Sequence, residues 1–170
     1  MEKDGDAVKG LPFKKLSHAA KQRAIEKLCD LNVDCDWWDC TYEDAASIGL
    51  EITGFDLGGA QDTDGKFIGS LRGSIQTILA DHGESCDTYK VALEFKTKFQ
   101  VVRATERIMG NPDWNDEEIY SDLADDYKNA LLKCYFKMLT EDYDYLTSET
   151  QIIESIEGGE YRFSRDGEMI

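Results

Sequence analysis

Along most of the chain apolar residues recur every third or fourth position, the spacing of a helix with one buried face, and only short stretches alternate as strands do. Ala20, Ala24, Ile25 and Leu28 predict a helix from about His18 to Leu31, entered from Leu11–Leu16 through Ser17, whose hydroxyl suits an N-cap. A second helix is expected after Asp34 or Asp36 and runs to about Ile48, where Gly49 can end it in the left-handed conformation. Leu50, Ile52 and Phe55 then alternate, GGAQDTDG reads as a turn, and Lys66–Leu71 as the returning strand of a hairpin signalled by Asp64-Gly65. Ser74–His82 is a short helix closed by Gly83.

Two longer helices follow. Cys86–Met109 carries Tyr89, Ala92, Leu93, Phe99, Val102 and Ile108, and Gly110-Asn111-Pro112 breaks it. Asn115, with Glu118 three residues on, forms a capping box for a helix to about Leu139 whose inner face is Ile119, Leu123, Tyr127, Ala130, Leu131, Cys134 and Met138. Each is about 35 Å long at 1.5 Å per residue, which suits an antiparallel helical hairpin. Ser148-Glu-Thr-Gln151 opens a helix to about Ile156, Gly158-Gly159 ends it, and Glu160–Phe163 alternates as a last strand before Asp166-Gly167. The expected fold is α+β: a small antiparallel sheet of three to four strands packed against a mostly helical layer that includes the hairpin. The whole chain is read as a single domain, with residues 1–10 as a mobile N-terminal tail.

Charge changes this picture more than composition does. The 170 residues are 41% hydrophobic, enough for a core, yet the formal net charge is −16. It is unevenly placed: net +2 over Met1–Leu31, −9 over Asn32–Lys90, +2 over Val91–Gly110 and −11 over Asn111–Ile170. A field of that sign repels nucleic acid and anionic membrane and favours a basic partner. No apolar run approaches the ~20 residues of a transmembrane helix, and MEKDGDAVKG has no signal-like stretch, so the expected location is the cytoplasm. Five cysteines (Cys29, Cys35, Cys40, Cys86 and Cys134) at irregular spacings are expected to stay thiols. Nothing in the sequence sets the oligomeric state.

The most unusual segment is Asp34-Cys-Asp-Trp-Trp-Asp-Cys-Thr-Tyr-Glu-Asp44. On a helix, Asp36, Asp39 and Glu43 share one face and Trp38, Tyr42 and Ala45 another, so the acidic row is either a solvated face or a contact surface with an exposed Trp37 as its anchor. Glu118, Asp122 and Asp125 make a second row, followed by Lys128, Lys133 and Lys137 as the helix dipole favours. Carboxylates three or four apart are neighbours on a helix, so these rows are also spaced to imitate a phosphate backbone. Asp62-Thr-Asp-Gly65 is a fragment of a calcium loop, but Gly73 stands where the bidentate Glu belongs, and it reads as a hairpin turn. The gaps between Cys29, Cys35 and Cys40 do not suit zinc, and His18 and His82 are the only histidines. With no GxGxxG, P-loop, HExxH or GxSxG, no catalytic residues, metal or cofactor are assigned, and a non-enzymatic role is expected.

The run Asp36-Trp-Trp-Asp-Cys-Thr-Tyr-Glu-Asp-Ala-Ala-Ser-Ile-Gly-Leu-Glu-Ile-Thr-Gly-Phe-Asp-Leu57, with His82-Gly-Glu-Ser-Cys-Asp-Thr-Tyr-Lys90 and Tyr145–Glu149, resembles a family of small acidic proteins encoded by bacteriophages and prophages. Relatives often carry a FWSQGDG-like turn where this chain has FDLGGAQDTDG. The resemblance implies a phage accessory protein and brings no active site with it. Together with the charge, it leads to the expectation of a protein that inhibits a host factor by binding its basic surface, in counter-defence or as a DNA mimic. The partner-binding set is then Asp36, Trp37, Asp39, Glu43, Glu118, Asp122 and Asp125. Two alternatives stay open. One is a sponge for a nucleotide-derived immune signal, with Trp37, Trp38, Tyr42 and Phe55 stacking a base and Arg103, Arg107 or the first helix meeting phosphate. The other is an antitoxin-like neutraliser of a basic partner.

Overall fold

The computed structural model describes residues 10–110 and 116–170, without the side chains of 109 and 116–119. The expected N-terminal tail (residues 1–9), the Asn115 cap and the Glu118 side chain lie outside the described residues. The chain is α+β, and its described residues form six α-helices and two separate two-stranded antiparallel sheets in place of the one sheet of three to four strands expected. No described helix is long and apolar enough to cross a membrane. Contacts cluster into two compact units: residues 10–37 together with Glu141–Ile170, and Trp38–Thr140.

The first unit pairs β1 (Leu11–Pro12) with β4 (Arg162–Phe163), opposing Leu11 to Phe163. This pairing is why the last strand does not join a larger sheet: its partner is the segment just before the first helix. α1 (His18–Lys27) begins at Ser17, whose Oγ accepts the Ala20 N–H at 3.3 Å. Phe13, Leu16, Ala20 and Ala24 meet Ile152, Ile156 and Phe163 in a small core. The last two come from α6 (Glu149–Gly158) and β4; α6 is capped by Ser148 as its sequence predicts. Gly167 closes the C-terminal turn at φ +88°, with no room for a Cβ against the Ala20 carbonyl.

The second unit starts with α2 (Asp39–Ser47), which Gly49 ends at φ +78°. β2 (Leu50–Asp56) and β3 (Asp62–Phe67) follow as a hairpin, with a register irregularity between Ile52 and Gly54. β3 overturns the reading of Asp62-Thr-Asp-Gly65 as a turn. The reversal is made instead by residues 57–61, because the Asp56 carboxylate accepts the N–H groups of Gly58, Gly59 and Ala60 at 2.9 Å each. Then come α3 (Leu71–Asp81), α4 (Asp87–Met109) and α5 (Asp116–Leu146), the last running beyond Thr140 into the residues of the first unit.

The core of this unit joins Ala45, Ile48, Leu50 and Ile52 to Ile75, Ile78, Phe95, Tyr127, Leu131 and Tyr135. α4 turns Phe95 inward, while Leu93 and Ile108, expected inside, are 48% and 84% exposed. Ala92, Phe95 and Phe99 fall at positions i, i+3 and i+7, and this stripe, not the one through Leu93, meets the neighbouring helices.

Candidate docking surface

The expected acidic row is only partly assembled. α2 starts at Asp39 behind Trp38, so Asp36 precedes the helix in an irregular segment where the Trp37 N–H reaches the Cys35 carbonyl at 2.8 Å. Asp39 and Glu43 share an exposed face of α2 at i and i+4, and Asp36 is not part of that row. Trp37 is half-buried, its ring 5.7 Å from Tyr143 within the first unit, and is not the exposed anchor expected. Asp122 and Asp125 are exposed on α5, with Asp125 paired to Lys128 at 3.2 Å. The Glu118 side chain lies outside the described residues.

The hairpin against which α2 packs carries further exposed carboxylates. Alternation along β3 buries Thr63 and exposes Asp62, Asp64 and Lys66. In register, Lys66 faces Glu51 and binds it at 3.0 Å, Asp64 faces Gly54, and Asp62 faces Asp56. Two carboxylates directly opposite on a ladder repel. The three backbone N–H groups of the turn hold the Asp56 carboxyl below the usual range, the Ala60 bond contributing most, so it stays charged beside Asp62. From Trp38 to Phe67 the chain has seven Asp or Glu and one Lys, so this helix and hairpin carry a net charge of −6. Among the described residues, Asp36, Asp39, Glu43, Asp56, Asp62, Asp64 and Asp122 enter no ion pair, whereas seven of the lysines do.

Side chains beneath this surface hold α2 in place. Trp38, Tyr42 and Phe55 meet with centroids 5.6 to 6.5 Å apart, clasping the helix to β2. The Tyr135 hydroxyl donates to Asp44 Oδ2 at 2.8 Å. Burial, then the Asp44 charge, pushes that phenol upward, so it remains a donor. His82 Nε2 lies 3.9 Å from the other Asp44 oxygen, and its Nδ1 is 2.6 Å from Thr88 Oγ1. Asp44 is thereby tied to α5 through Tyr135 and lies beside His82 at the end of α3, while Asp39 and Glu43 are exposed on α2 without such partners.

The base-stacking set of the ligand alternative is divided: Trp38, Tyr42 and Phe55 pack on one another, Trp37 packs on Tyr143, and Arg103 lines a groove between other helices. No group of three or more His, Cys, Asp or Glu among the described residues is placed to hold a metal ion. Asp56, Asp62 and Asp64 are the surface residues that the sequence reading missed. Their signal was the period-two spacing of Asp62, Asp64 and Lys66, hidden by strand-poor residue types. Compared with protein-family models, curated proteins and solved structures, the chain matches none.

Proposed function

We propose that this chain is a non-enzymatic binding protein that docks the acidic face of α2 and the β2–β3 hairpin onto a basic surface of a partner protein. The observation that carries the reading is the directly opposed pair Asp56 and Asp62, with Asp64 two residues along the same strand and Asp39 and Glu43 exposed on the packed helix, none of them in an ion pair among the described residues. Such an arrangement leaves concentrated negative charge that a partner complements by supplying lysine or arginine. The sequence resemblance supports the finer reading: a phage-encoded inhibitor that acts in the host cytoplasm on a host factor, competing with nucleic acid when the docked surface is itself a nucleic-acid groove. The antiparallel hairpin expected of α4 and α5 belongs to this reading as its scaffold. Contacts of Asp87 with Lys137, Phe95 with Tyr127 and Phe99 with Tyr120 support it.

The test compares the full chain with the Asp39→Lys/Glu43→Lys/Asp62→Lys/Asp64→Lys variant, using Asp122→Lys as a control. A host protein captured at stoichiometric level by the wild type is purified, and its affinity is measured at low and high salt. The expected result is a loss of about tenfold or more in the fourfold variant, little change in the control, and weakening by salt. Equal affinity of wild type and fourfold variant refutes the surface.

A further inference from the structure

In the second unit, α3, α4 and Tyr120 of α5 line a groove of about 530 Å³, within the size range of small-molecule sites. Leu71, Ile75 and Leu79 line one wall at i, i+4 and i+8 of α3, and Phe99 and Tyr120 line the other. Those two rings stack on each other, nearly parallel at 11° with centroids 6.2 Å apart, and together form an aromatic side of the groove. Among the described residues, every charged side chain lining the groove is a cation: Arg72, Lys96 and Arg103. Lys96 and Arg103 belong to Val91–Gly110, a stretch of net charge +2 inside a chain of −16. Among the described residues none of the three is in an ion pair, although this protein has carboxylates in excess. Gln76 and Gln100, one turn on from Arg72 and Lys96, add amide donors and acceptors at the lining.

From this we propose that the groove binds a nucleoside phosphate, with the base on the Phe99–Tyr120 wall and the phosphates among Arg72, Lys96 and Arg103. A fatty acid would match the aliphatic wall, but its single carboxylate needs one cation, and its tail would leave two amides without a use. Guanidinium forks suit the several oxygens of a phosphate, and an aromatic base uses both ring faces and amides. Lys96 and Arg103 are seven residues apart, about 10 Å along the helix axis, with Phe99 and Gln100 between them. That span suits a ligand with charge beyond one end of a ring. The overall negative field does not forbid entry, because salt screens distant carboxylates over about 8 Å while the three lining cations act at contact. The site is independent of the acidic surface, and either can fail alone.

The experiment is isothermal calorimetry on the full chain with adenosine diphosphate, guanosine diphosphate, pyrophosphate and laurate. One or both nucleotides should bind, at least about tenfold more tightly than pyrophosphate and more weakly as salt rises. Arg103→Ala and Lys96→Ala, both at exposed positions, should each weaken nucleotide binding by about tenfold. Phe99→Leu should erase the advantage of nucleotide over pyrophosphate while leaving pyrophosphate binding in place. Pyrophosphate as tight as the nucleotides overturns the proposal, as does laurate binding alone. Absence of binding by all four at millimolar concentration, with circular dichroism unchanged among the variants, overturns the site itself.

Discussion

A methyl group at Gly65 would lie 2.7 Å from the Glu51 carbonyl oxygen and 2.8 Å from Leu132 Cδ2, so β2 and α5 close over a position with no side chain. Gly54, in the same hairpin, has open space around its missing Cβ. The pair makes an internally controlled test. Gly65→Ala should destabilise by about 1–3 kcal/mol through overpacking, a fall in Tm of several degrees, while Gly54→Ala should change Tm little. Thermal unfolding followed by circular dichroism checks it, and equal melting temperatures for the two variants would contradict the packing described. Gly65 also illustrates a misleading residue: Asp-Gly is a strong turn signal, yet here the glycine serves contact between elements, not chain reversal.

The hairpin as an element depends on the ionised Asp56 side chain. Its carboxyl is held below the ordinary 3.8 by backbone N–H groups, so its stabilisation of the turn is complete above that value and is lost as pH falls through its own lower one. Carboxyl titration by NMR should find Asp56 protonating below 3.8, with the Gly58, Gly59 and Ala60 amide shifts moving alongside. In Asp56→Asn the acid-range movement of those amides should disappear, and an Asp56 that titrates at 3.8 would contradict the clamp.

Elements were legible where a local group specifies them. Ser17 and Ser148 cap helices as their positions announce, and Gly49 takes the left-handed conformation at φ +78°. Pairing between elements was not legible, because Leu11–Pro12 and Arg162–Phe163 are two-residue strands whose partners lie far apart in sequence. Asp34 and Asp36 resemble N-terminal acids and point to an earlier start for α2, while the helix waits for Trp38. Of the candidate surface, Asp39 and Glu43 are legible from helical spacing, but Asp62 and Asp64 are not, because their strand has few of the residues that favour one.

For the molecule as a whole, 35 acids against 19 bases set the balance between repulsion and pairing. The ion pairs are mostly exposed, and such pairs are worth about 0–1 kcal/mol each, so screening them loses little. Screening the unpaired carboxylates relieves more. Raising sodium chloride from low to physiological strength should therefore raise Tm by a few degrees or more, measured by differential scanning calorimetry. A fall would mean that the pairs outweigh the repulsion.

The antiparallel match of Leu11 with Phe163 also bears on synthesis. A chain emerging from the ribosome cannot finish its first unit until roughly 150 further residues have been added, so Phe13, Leu16 and Ala20 wait with their cover unmade. The second unit is a continuous stretch and can close while that delay lasts. Premature termination before residue 162 would thus release a product with a sticky, half-built N-terminal segment, a natural target for chaperones and proteases.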